Sequence, residues 1–192
     1  MTPRRRITLA VALSLPVAGL LWFALYEHLP PVRMAPMPFA LGCIGTALLL
    51  TLVAGVEAVA HERLFHASID PLAGADSRRL AVNQRVLQNT VEQAMPFAAG
   101  LLLLAYYDSL QAVAATTITW VLGRWAFWIG YHIAPVWRGL GVFSMAQSLV
   151  VLAYGAGCFG YEIWGLAGIF AVLGPFLGLE AYLFTVLRRP SQ

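Results

Sequence analysis

The chain reads as an all-α, polytopic integral membrane helical bundle, and three observations point there. Apolar residues make up 60% of the 192 and charged residues only 11%, where a soluble domain carries about 25% charged residues. Apolar runs of about 20 residues recur along the chain, each long enough to cross the hydrocarbon core as a helix. The arginines gather at the ends of those runs. The net charge of +3 does not indicate nucleic-acid binding in so apolar a chain. All twelve basic residues are Arg, which we read as genomic bias.

Six spans follow in order. The first covers residues 7–26, behind Arg4, Arg5 and Arg6. Its apolar run exceeds a signal-peptide h-region and no small-residue cleavage site follows, so it reads as a retained anchor. Pro30, Pro31, Pro36 and Pro38 make the next loop stiff. The second span covers 38–60, with Glu57 near its end and set to pair with Arg63. Residues 61–83 form the longest polar loop, centred on the turn-rich DPLAGAD. The third span covers 85–107, polar in its first half. The fourth covers 110–133 and ends at Pro135. The fifth covers 142–159, where GAGCFG (155–160) allows close helix packing, and the sixth covers 164–187. Trp22, Tyr26, Tyr106, Tyr107, Tyr161 and Trp164 fit interfacial belts.

Arg4 to Arg6, Arg63, Arg78, Arg79, Arg85, Arg138, Arg188 and Arg189 all fall on one side of this arrangement, and Arg33 on the other. The positive-inside rule then puts both termini in the cytoplasm. The expected location is a bacterial inner (cell) membrane.

A charge in lipid costs a few kcal/mol or more at mid-bilayer, so charged residues inside spans face a bundle interior or a polar cavity. Arg85, Asn89 and Glu92 lie at i, i+4 and i+7, one helical face, with Gln88 beside them. An Arg pairs a carboxylate through two parallel hydrogen bonds. Asn supplies a donor and an acceptor, and Glu receives an ammonium, so together they match a zwitterionic ligand. The plainer reading is a snorkelling helix start. Arg124, Phe127 and Tyr131 repeat the pattern on the fourth span. Arg124 lies deep in an aromatic run and needs a partner, for which Glu92 is the natural candidate; such a pair can also serve packing alone. Tyr131 can be interfacial. Arg138 either orients the chain or, as a cation, lowers a thiol pKa. Glu162 and Glu180 are less specific. Cys43 and Cys158 read as small hydrophobes. Histidines 28, 61, 66 and 132 show no ligand pattern within one helix turn, except His61 and His66, which are five apart, and isolated His spacing is a weak motif, so no metal is expected.

At these residues the chain resembles the MAPEG family, membrane-associated proteins in eicosanoid and glutathione metabolism that include microsomal glutathione transferases and leukotriene C4 synthase. The second helix of that family carries an Arg, an Asn four later, a Glu three later still and then an aromatic-Pro stretch. Here these are Arg85, Asn89, Glu92 and Pro96-Phe97. Its third helix carries an Arg, an aromatic, Gly-Tyr and a further Arg, here Arg124, Phe127, Gly130-Tyr131 and Arg138. Arg63-Leu64-Phe65 looks like the basic end of its first helix. Phe127 stands where a Tyr is common, and Gln93 where some members have a Tyr.

The resemblance implies a four-helix core over residues 38–160, with one extra span at each end (7–26 and 164–187), in a single membrane domain over 1–192. It implies a homotrimer with glutathione as co-substrate between subunits. Arg63, Arg85, Asn89, Glu92, Arg124 and Tyr131 would bind it, and Arg138 would stabilise the thiolate. The expected activity is a glutathione-dependent transferase or peroxidase acting on a lipophilic electrophile or lipid hydroperoxide from the bilayer. The alternative is a non-enzymatic scaffold or lipid-binding protein of the same fold. A small transporter would show repeats or broken helices, and neither is evident.

Overall fold

The computed structural model describes residues 3–66, 69–70, 74 and 76–187. Arg188, Arg189, the side chain of Arg4 and most of the DPLAGAD turn lie outside the described residues. The described residues form six long helices. Helix α1 spans Pro3–His28. The next helix is continuous but changes pitch: α2 (Pro36–Leu48), a π turn (Leu49–Val53) and α3 (Ala54–Phe65). Then come α4 (Arg78–Tyr107), α5 (Leu110–Ile133), a 3-10 turn (Trp137–Gly141), α6 (Phe143–Trp164) and α7 (Leu166–Leu187).

By length and composition, four stretches among the described residues are long and apolar enough to cross a membrane: Arg5–His28, Pro36–Phe65, Trp137–Trp164 and Leu166–Val186. Helices α4 and α5, which carry the polar motifs, fall short on that measure. They lie among the spanning helices and hold most of the buried core. Neighbours shield their polar groups from lipid, which relaxes the demand for an apolar surface.

Local chemistry sets the helix ends. Ser77 caps α4, its Oγ accepting from the Leu80 N–H at 3.0 Å, and Ser109 caps α5 through the Ala112 N–H at 3.2 Å. These side-chain oxygens satisfy first-turn donors that have no helical partner. Helix α5 covers the expected 110–133 and stops before Pro135. Helix α4 begins seven positions earlier than expected, at Arg78, because capping lets it run on past its apolar part. Gly165 turns α6 into α7 at φ 61°, a conformation that suits a residue without a Cβ.

Trp120 ties the core together. Its ring stacks on Phe97 at 4.1 Å between centroids, and its Nε1–H donates to Ser148 Oγ at 2.9 Å. Small residues bring the helices close, as the GAGCFG segment suggested. Gly155 packs on Leu103, and Gly160 lies directly against the Gly168 backbone, with no room for a Cβ on either glycine. Among the described residues α7 packs on α6 alone. Helix α1 instead lies on α5, α6 and the 3-10 turn. Ser14 Oγ donates to the Val11 carbonyl and reaches the Gly139 carbonyl at 3.4 Å. Trp22 also tethers α1 to α5. Its Nε1–H donates to Thr116 Oγ1 at 2.9 Å, and its ring stacks on Tyr26.

Candidate functional site

Arg124 sits at the centre of the polar motifs with 2% of its surface exposed. Its Nη1 donates to Asn89 Oδ1 and its Nη2 to Thr90 Oγ1, each at 2.9 Å. The guanidinium lies 4.8 Å from the Phe127 ring centroid, within reach of the ring's negative face. The expected pairing with Glu92 does not form. At about 100° per residue, Glu92 is turned roughly 160° from Thr90 around the helix, so a guanidinium bonded to Thr90 lies on the far side of α4 from Glu92. Instead Glu92 is exposed and accepts from Gln88 Nε2 at 3.1 Å.

Asn89 is therefore half committed. Its carbonyl oxygen is taken by Arg124, while its amide nitrogen finds only the Met145 sulfur at 4.0 Å, a weak acceptor. One good donor remains for a ligand. Arg85 is exposed one turn earlier and has no hydrogen bond or ion pair among the described residues. Arg85 and Glu92 are thus exposed, while Asn89 between them turns inward against α5 and α6.

Tyr131 is half-buried, its ring edge-on to Phe127 at 5.9 Å. The Arg138 guanidinium sits 5.4 Å from the Tyr131 centroid and is otherwise exposed. Gly139, next to Arg138, is covered by Ile7 and Ala10 of α1. A helix outside the motifs therefore braces the turn that carries this cation. Gly130 has the Trp137 carbonyl where a Cβ would stand. That close approach folds the turn back onto α5 and brings Arg138 over Tyr131.

Arg63 stands apart. It does not pair with Glu57, whose carboxylate lies 3.7 Å from His61 Nδ1, and its Nε is buried without a hydrogen-bond partner. Residues 57 and 63 are six apart, about 600° of helical rotation, so they lie on different faces, whereas His61 is one turn from Glu57.

A second polar cluster escaped the sequence reading. Glu62 is buried, accepts from Ser77 Oγ at 3.2 Å, and lies 3.5 Å from His66 and 3.7 Å from Arg79. Nearby, Trp128 Nε1–H donates to Asn83 Oδ1 at 2.9 Å, with His132 Nε2 2.8 Å from the same oxygen. The i, i+4 spacing of Trp128 and His132 was the available signal. Nothing in the sequence placed Glu62 against the start of α4.

The helices and the buried arginine define an integral membrane helical bundle with a polar seam between its two least apolar helices. A family model described as the MAPEG family matches residues 39–158, and the chain belongs to that family. The match begins in α2 and ends in α6, leaving α1 and α7 outside it. No curated protein and no solved structure matches the chain.

Proposed function

We propose that this protein is a glutathione-dependent transferase or peroxidase, acting at the membrane on lipophilic electrophiles or lipid hydroperoxides. One observation carries the reading. Arg85 and Glu92 present an exposed cation and anion on one side of α4, with the half-buried Asn89 between them, its amide nitrogen met only by the Met145 sulfur among the described residues. A zwitterionic tripeptide complements that set, with carboxylates on Arg85 and an ammonium on Glu92. A neighbouring subunit would close the face, so the working form is a homotrimer with glutathione at its interfaces. Arg124 contributes by holding Asn89 in place, and Arg63 supplies a further cation. Tyr131 positions Arg138, which stabilises the thiolate.

In the transferase reaction the thiolate sulfur forms a bond to an electrophilic carbon. The leaving group departs with its electron pair, or an epoxide opens and its oxygen takes up a proton. In the peroxidase reaction the sulfur attacks the terminal peroxide oxygen, the O–O bond breaks and the lipid alcohol leaves. A second glutathione then displaces water from the sulfenic acid to give the disulfide. Both reactions begin from the thiolate, and a cation beside it raises the thiolate fraction at neutral pH. The arginine-rich end would face the cytoplasm of a bacterial cell, where glutathione is available.

The test measures glutathione binding by calorimetry and thiolate formation by ultraviolet absorbance against pH, on purified protein in mild detergent. Conjugation and peroxidase rates complete it. Saturable binding with a lowered thiol pKa is the expected result. Binding without a thiolate at neutral pH and without turnover favours the non-enzymatic scaffold. That second reading draws on Arg124, whose hydrogen bonds to Asn89 and Thr90 stay within the subunit.

A further inference from the structure

Helix α1 closes a cavity of about 450 Å³ against the family core. Leu15, Ala18, Gly19 and Trp22 form one wall, and residues from α4, α5 and α6 form the others. The volume falls within the roughly 300–1,000 Å³ of small-molecule sites. The lining is overwhelmingly apolar. Leu15 and Gly19 are exposed on the subunit surface, so the cavity is accessible from the bilayer. None of the residues assigned to glutathione lines it.

Asp108 and Tyr154 also line the cavity, and there the Tyr154 hydroxyl donates to Asp108 Oδ2 at 3.3 Å. Two buried polar atoms of the lining have no hydrogen-bond partner among the described residues. Thr119 lines the cavity with 2% of its surface exposed, yet its Oγ1 makes no hydrogen bond. Other buried helical threonines here do otherwise. Thr51, Thr90 and Thr117 each donate to the carbonyl one turn earlier, at 2.7–2.8 Å. Gln147 also lines the cavity, and its Oε1 is buried and unpartnered. Its orientation is determined, because Nε2 donates to the Thr116 carbonyl at 3.1 Å. A carbonyl only accepts, so the amide nitrogen must face it and the amide oxygen is left over. The Thr116 hydroxyl is itself occupied by Trp22.

We propose that this cavity is a binding site for a bilayer-soluble alcohol, a molecule with an apolar chain and one hydroxyl group. The chain fills the apolar walls. The hydroxyl hydrogen is donated to Gln147 Oε1, and its oxygen accepts from Thr119 Oγ1. The site belongs to the single subunit and depends on α1, which lies outside the family match. It does not rest on glutathione chemistry.

The test uses the full chain in phosphatidylcholine nanodiscs and a photoreactive dodecanol carrying an alkyl diazirine, with its methyl ether as the control that cannot donate. Labelled peptides are mapped by mass spectrometry. Saturable labelling of α1 and α6 by the alcohol is expected, with the ether at least about tenfold weaker for loss of the hydrogen bond. Gln147→Leu and Thr119→Val remove buried polar atoms without needing a new partner, so the fold should hold while half-saturation rises severalfold. Gly19→Leu blocks the cavity. A Cβ there meets nothing within 4 Å, and leucine is the better helix former, so melting temperature should hold while saturable labelling disappears. Equal labelling by alcohol and ether overturns the proposal. So does labelling that survives Gly19→Leu, or that spreads over the exposed face of α7. An absence of saturable labelling also overturns it, and leaves water to fill the site.

Discussion

The polar residues of α4 and α5 form two layers that differ in how their hydrogen bonds are met. In the inner layer Arg124 donates from both terminal nitrogens across to Asn89 and Thr90 of the neighbouring helix. In the outer layer, among the described residues, Arg85 has no partner, Glu92 is met only by Gln88 one turn away, and Arg138 rests on a tyrosine ring. The inner layer therefore contributes to assembly whether or not a ligand is present. The outer layer contributes little to the fold of one subunit, because exposed charges gain little from weak local contacts. Its charges are available for a ligand or a neighbouring subunit. A residue's motif position does not say which layer it occupies: Asn89 and Glu92 are three positions apart and belong to different layers.

Removing Arg124 should separate the layers most sharply. Arg124→Ala leaves a cavity and strands Asn89 Oδ1, costing on the order of 2–4 kcal/mol of stability. The melting temperature in detergent should fall steeply even without glutathione. If it does not move, the inner layer is not structural. Arg138→Ala should do the reverse. The melting temperature holds, turnover falls on the order of 10²-fold and the bound thiol pKa rises, since the contact acts mainly on developing charge. A silent Arg138→Ala in an active enzyme would move the activating role elsewhere.

Arg85→Ala and Glu92→Ala test the outer layer for binding. Each should weaken glutathione affinity about tenfold, the scale of one lost charge-assisted contact, with melting temperature unchanged because both residues are exposed. A stability loss matching that of Arg124→Ala would mean the two layers are one. The smallest effect is expected from Thr90→Val, which removes one of the two Arg124 hydrogen bonds for about 1 kcal/mol. A small melting shift with unchanged glutathione affinity would confine Thr90 to the inner layer.

The helices were legible where composition and capping agree. Residues 110–133 came out as expected because Ser109 and Pro135 bracket an apolar run. The starts of α4 and the end of α3 were not, because both helices continue into polar sequence that buries itself on a neighbour. Glu62 is the clearest case, a carboxylate read as part of a loop that instead lies buried against Ser77 and Arg79. The π turn at Leu49–Val53 was equally hidden. There Thr51 bonds the Ala47 carbonyl, and Trp125 of α5 donates to the Leu50 carbonyl, a partner 75 positions away that no local pattern announces.

The sequence by itself determined the membrane class and the helical architecture, because apolar run length and helical periodicity are local properties. Which polar residues meet was decided only by the tertiary structure. Arg124 could have paired with any acceptor on α4, and the rotation of that helix about its own axis selected Asn89 and Thr90 over Glu92. Rotation and close approach depend on packing among several helices at once, including the small residues at Gly130, Gly155 and Gly160. The same packing laid α1 over the turn that carries Arg138 and left Thr119 facing a cavity. Those relations join residues more than a hundred positions apart, so they exist only once the chain has folded.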